Sequence, residues 1–140
     1  MAAVNPYLTF GGSCEEAFGL YKSVFGGDFL TLSRFSEMPA EHYGPGEENL
    51  VMHVALPIGN NTILMGSDSP STFGPLNVGN NYSVAVSPDT KDQADQIFNG
   101  LADGGKVTMP ISDAPWGAYF GMLTDKFGVN WMVNFDYNKQ

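Results

Sequence analysis

The chain says the same thing twice, and that repetition constrains its fold more than any other feature. Residues 12–31 read GSCEEAFGLYKSVFGGDFLT and residues 89–108 read DTKDQADQIFNGLADGGKVT. In the first, Ala17, Leu20, Tyr21, Val24 and Phe25 recur at helical steps, and in the second Ala94, Ile97, Phe98, Leu101 and Ala102 do the same. Each set is the apolar stripe of an amphipathic helix. Ser13 with Glu16, and Thr90 with Gln93, have the spacing of a capping box. The pairs Gly26-Gly27 and Gly104-Gly105 suit the left-handed turn that ends a helix. Helices are expected at about residues 13–25 and 90–103.

The flanks repeat as well. The β-rich runs NPYLTF and NYSVAV precede the helices, and DFLTLSRF and KVTMPI follow them. Each half closes on a hairpin. One joins NLVMHVALPI to TILMGSD through Gly59-Asn60-Asn61, and the other joins AYFGMLTD to VNWMVNFD around Gly128. Glycine and asparagine tolerate the positive φ such turns require. The reading is α+β: two tandem βαβββ modules, 1–68 and 81–140, joined by a Ser-, Pro-, Gly- and Asn-rich linker at 69–80, within one domain of 140 residues. One curved mixed sheet with a cleft is expected, its helices on the convex side.

Strand alternation divides the side chains. Trp131, Val133 and Phe135 belong under a helix, as do Met52, Val54 and Leu56. Their neighbours then face the other way. This argument selects Asn5, Tyr7, Thr9, Val51, His53 and Leu64 in the first half as cleft-lining residues. In the second half it selects Asn81, Tyr119, Asn130, Met132 and Asn134. A repeat offset of 68 makes Gly121 the equivalent of His53 in the second half, in one row with Tyr119 and Leu123. Trp116, in the loop APWGAYF, is placed to act as a lid.

Charge and composition exclude several roles. Six basic residues against fifteen acidic ones give a formal charge of −9, unsuited to neutralising nucleic-acid phosphates or an anionic membrane surface. No apolar run reaches the roughly 20 residues of a membrane span, and the N-terminus does not read as a signal peptide. A lone Cys14 excludes an intrachain disulfide and fits a reducing, cytoplasmic setting.

The strings PYLTFGGSCEEAFGLYKSVFGG, Glu37-Met38-Pro39, MHVALPIGNNTILMGSD and WGAYFGMLTDKFGVNWMVNF resemble one known group. It is the vicinal oxygen chelate superfamily (glyoxalase, bleomycin resistance, dioxygenase), in its PhnB-like, 3-demethylubiquinone-9 3-methyltransferase-like branch. The resemblance implies the tandem fold, a homodimer, and in the enzymes a divalent metal. Carried over residue by residue, the metal positions fall on Asn5, Leu64, Asn81 and Met132. Leu64 and Met132 offer no oxygen or nitrogen, and asparagine is a poor ligand for Zn, Fe or Ni. No metal and no cofactor are therefore expected. A Rossmann-type methyl donor site is not expected either, because the glycine pairs follow the helices rather than open them.

Several side chains remain as candidates for chemistry. His53 and Glu37 are the candidate catalytic pair, His53 as an acid–base group or single ligand. Arg34 is a candidate partner for Glu37 or for an anion. Cys14 sits in the first helical turn and reads as structural, and His42 reads as exposed. The expected function is small-molecule binding by stacking and amide hydrogen bonds. The alternative is a metalloenzyme of the lyase, transferase or dioxygenase type, with relocated ligands including His53 and Glu37.

Overall fold

The computed structural model describes residues 2–138. The chain forms two compact units, Met1–Asn77 and Val78–Gln140, and the division falls inside the expected linker. The first unit contains β1 (Tyr7–Phe10), α1 (Cys14–Phe25), β2 (Thr31–Arg34), β3 (Val51–Ile58) and β4 (Thr62–Asp68). The second contains β5 (Val84–Val86), α2 (Lys91–Ala102), β6 (Lys106–Ala114), β7 (Ala118–Thr124) and β8 (Asn130–Asp136). Both are βαβββ modules. Backbone pairing gives two four-stranded mixed sheets, ordered β1-β4-β3-β2 and β5-β8-β7-β6. In each, the first strand pairs parallel to the last and the remaining pairs are antiparallel.

One face of each sheet is closed by its own helix. In the first unit Leu8, Phe10, Val54, Leu56 and Leu64 are buried with Cys14, Ala17, Phe18 and Tyr21 of α1. The observed α1 stripe is thus turned toward Cys14 and Phe18, leaving Leu20, Val24 and Phe25 half-buried. Gly66 explains the closeness of the joint. A Cβ there would lie 2.6 Å from Phe18 Cε1 and 2.8 Å from the Leu8 carbonyl oxygen. The second unit buries Leu123, Trp131 and Val133 with Ala94, Ile97, Phe98 and Leu101. Gly121 plays the matching part, since a Cβ there would meet Phe98 Cε1 at 2.7 Å.

The two helix starts differ. Thr90 caps α2 as expected: its Oγ1 accepts from Gln93 N at 3.0 Å, and Gln93 Oε1 accepts from Asp89 N. Ser13 makes no side-chain cap. Asp68, at the end of β4 and 2% exposed, takes that role instead. Its Oδ1 accepts from Gly12 N and Cys14 N at 2.9 and 3.0 Å, and its Oδ2 accepts from Val51 N at 2.9 Å. One carboxylate thereby ties β4 to the start of α1 and to β3. Asp125, 3% exposed, does comparable work in the β7–β8 turn. It accepts from Phe127 N, Val129 N and Trp131 Nε1 at 2.9, 3.0 and 2.9 Å.

Candidate functional site

Pairing register shows which side chains share the sheet face turned away from each helix. In the first sheet Tyr7, Met65, Ala55 and Thr31 form one row across the four strands. Thr9 pairs with Ser67, and Ser33 with His53, beside it. Tyr7 and His53 meet across β4, with ring centroids 5.9 Å apart and planes 26° from parallel. The Tyr7 hydroxyl lies 3.5 Å from His53 Nδ1, at the outer limit of a hydrogen bond. Tyr7 is 49% exposed and His53 half-buried. Hydroxyls of Thr9, Ser33 and Ser67 flank this pair on the same face, none of them anticipated except Thr9.

Two residues expected on that face belong elsewhere. Leu64 is cross-strand partner to Leu56 and lies in the α1 core at 1% exposure. Directly paired residues share a face, so the residue of β4 that turns away from α1 is Met65. Val51 is also buried. The register slips between Ser33 and Arg34, inserting one residue into β3. Such a bulge reverses the alternation beyond it.

Glu37 is engaged close to home. Its Oε2 accepts from Arg34 N at 2.8 Å, closing the short turn at Phe35–Glu37. The Arg34 guanidinium binds both oxygens of Glu15, at 2.9 and 2.8 Å, and the Asn49 carbonyl. Arg34 beside it holds the Glu15 carboxyl below the usual carboxylate range. His42 is exposed. Glu47 straps the connection between β2 and β3 to the turn at Ser71–Phe73, accepting from Gly44 N and from both N and Oγ of Ser71. Cys14 is fully buried, and burial, reinforced by Asp68 and Glu15, pushes its thiol far up.

In the second sheet Asn130, Met132 and Asn134 do turn away from α2, alternating with Trp131, Val133 and Phe135. Asn130 is fully engaged: its Oδ1 accepts from Thr124 Oγ1 at 2.7 Å and its Nδ2 donates to the Gly79 carbonyl at 3.3 Å. The side-chain amide of Asn134 makes no hydrogen bond among the described residues. Phe120 is its cross-strand partner, and exposed Trp116 sets its ring edge-on to Phe120 at 5.4 Å. Tyr119 corrects the sequence reading. Its row, with Gly121 and Leu123, pairs with Phe135, Val133 and Trp131, so it faces α2. Its hydroxyl donates to Asp95 Oδ1 at 2.6 Å and the Lys91 ammonium sits 4.7 Å above its ring. Asp95 pushes the Tyr119 hydroxyl up to about 12.

The positions that would hold a divalent metal do not fit one. Asn5 Oδ1 accepts from Ile63 N at 3.0 Å, fastening the chain ahead of β1 to β4. Leu64 is in the core and Met132 offers a thioether. Asn81 lies exposed ahead of β5. Among the described residues no three His, Cys, Asp or Glu side chains gather to hold an ion.

Comparison with known proteins agrees with this architecture. A protein from Pseudomonas aeruginosa, PA1353, superposes with a TM-score of 0.87 at 37% identity, over 97% of this chain and 98% of that one. A PhnB protein from Bacillus cereus gives 0.77 at 31% identity, over 96% and 99%. YjdN of Escherichia coli (strain K12) is 28% identical over 94% of this chain and 93% of its own. A glyoxylase/bleomycin resistance protein/dioxygenase domain from Frankia, 12% identical, shares the fold with a TM-score of 0.62, over 100% and 95%. A family model described as 3-demethylubiquinone-9 3-methyltransferase matches residues 2–134. With two βαβββ modules and that match across nearly its whole length, the chain belongs to this PhnB-like family of the glyoxalase/bleomycin resistance/dioxygenase fold.

Proposed function

We propose that the protein binds a small, partly aromatic organic molecule, and that it does so without a divalent metal. The Tyr7–His53 pair carries this reading. Two nearly parallel rings stand on the face away from α1, with Tyr7 half in solvent and three hydroxyl side chains around them. A flat ligand gains stacking area from such rings and orientation from the hydroxyls. Phe120, Trp116 and the side-chain amide of Asn134 offer rings and a polar group on the second sheet.

The site geometry favours neither other reading. The metalloenzyme reading needs Glu37 on His53, and Glu37 is held in its own turn by Arg34 N. Methyl transfer, named in the family's description, would on a Rossmann-type site need consecutive parallel β-α units. Each sheet here has a single parallel pair. The buried, unpaired Cys14 accords with a reducing, cytoplasmic compartment.

The test is a thermal-shift panel of planar aromatic metabolites, read on the native chain and on Tyr7→Ala and His53→Ala. We expect a ligand whose shift both variants lose while their own stabilities stay within about 0.5 kcal/mol of the native chain, as for surface substitutions. A ligand whose shift survives both changes would place binding elsewhere.

A further inference from the structure

The second sheet holds a row of thioethers. Met109 of β6 pairs with Met122 of β7, which pairs with Met132 of β8. Side chains at directly paired positions share a face, with Cβ atoms roughly 4.5–5.5 Å apart. Ala85 of β5 continues the row beside Met132, and its single methyl leaves that end uncrowded. The register of β6 slips on both sides of Met109, an irregularity of the kind that re-aims a side chain. Met109 is exposed, and Met122 and Met132 are half-buried.

The distribution of residues across this sheet is selective. Its α2 face uses Leu123, Trp131, Val133 and Phe135 for bulk and contains no methionine. Every methionine between residues 78 and 140 stands in the row on the opposite face. An unbranched side chain with three rotatable bonds lets sulfurs on three adjacent strands reach a common point above the middle strand.

We propose that Met109, Met122 and Met132 form a three-thioether site for a soft monovalent cation of the Cu(I) class. Thioether sulfur favours such ions, whereas Mg, Ca and Mn prefer the oxygen ligands this row lacks. The formal charge of −9 raises the local cation concentration around the molecule. The proposal stands apart from ligand binding at Tyr7 and His53, which lie on the first sheet.

Silver(I), a redox-inert ion of the same class, is the probe. It is titrated into the full chain while the methionine methyl signals are followed by NMR. The expected result is saturation at a single equivalent, with shifts confined to Met109, Met122 and Met132 and with Met52 and Met65 unmoved. Methionine-to-leucine changes conserve volume, so Met122→Leu and Met132→Leu should keep the thermal midpoint. Each should weaken silver binding by more than the roughly 10–100-fold that loss of an outer-shell partner costs. Cys14→Ala should bind silver as the native chain does, because that thiol is buried in the other unit. Native-like affinity in both leucine variants, or loss of binding in Cys14→Ala, overturns the site. Should either leucine variant fail to fold, Met109→Leu at the exposed end decides the question by the same two readings.

Discussion

Replacing Asp68 should be far more damaging than its position near a strand end suggests. Its two oxygens hold the backbone amides of Gly12, Cys14 and Val51, and almost none of the side chain reaches solvent. Asp68→Ala leaves those donors without an acceptor. A buried unsatisfied group costs about 1–3 kcal/mol, so the expected loss is about 3 kcal/mol or more. Asp68→Asn keeps one acceptor oxygen and should lose less. Denaturant midpoints on the two variants check this, and equal, small losses would contradict it. The same residue marks a limit of sequence reading. The Thr90–Gln93 cap was legible because its partners are three residues apart. The spacing of Ser13 and Glu16 pointed to a second such cap, but the acceptor that replaces it lies 54 residues from Cys14. Nothing local in either stretch signals that contact. Glu37 and Arg34 are three residues apart, and the local bond between them was among the readings open in the sequence, whereas the Arg34 guanidinium reaches Glu15, 19 residues away.

At the scale of elements, alternation shows which side chains travel together but not which way a row faces. The row Tyr119, Gly121 and Leu123 was correctly grouped, yet it faces α2 because β8 presents Trp131, Val133 and Phe135 as its partners. The offset used to align the two halves was one residue out, and in a strand one residue reverses the face. Val51 was misplaced by an inserted residue that no composition signal marks. The elements themselves were legible, because two stripes, two glycine-terminated helices and four hairpin strands repeat in order. The orientation of Tyr119 has a measurable consequence. Its hydroxyl, bonded to Asp95 on α2, is pushed from an ordinary 10.0 to about 12. The folded value is raised, so the stability this bond adds is fully present below about pH 10. It is lost as pH climbs through about 12. Spectrophotometric titration of phenolate should show a late-ionising tyrosine that disappears in Tyr119→Phe. In Asp95→Asn it should move back toward the ordinary range. A native chain in which Tyr119→Phe removes only an early-ionising group would refute the latch. Tyr137 is also raised, by Asp113, so the comparison with Tyr119→Phe is the one that assigns the signal.

For the molecule as a whole, several large apolar side chains stand in solvent. Val4, Phe73 and Val78 are exposed by 95%, 74% and 63%. Edge strand β6 is exposed along most of its nine residues, and an open edge calls for a cover. We therefore propose a homodimer, and sedimentation at micromolar concentration should give about twice the 15.1 kDa of one chain. A single species of chain mass would remove the proposal. The division into two modules was readable from repetition alone, whereas pairing through a strand edge leaves no periodic trace of its own in a sequence. Repetition also has a consequence for inheritance. Each module seats a phenylalanine ring against a glycine of its own sheet, Phe18 on Gly66 and Phe98 on Gly121. The glycine stands on the last strand of one sheet and on the third strand of the other. The two halves have thus arrived at one joint by different routes. They can diverge in every contact around it while neither can acquire a side chain at its centre.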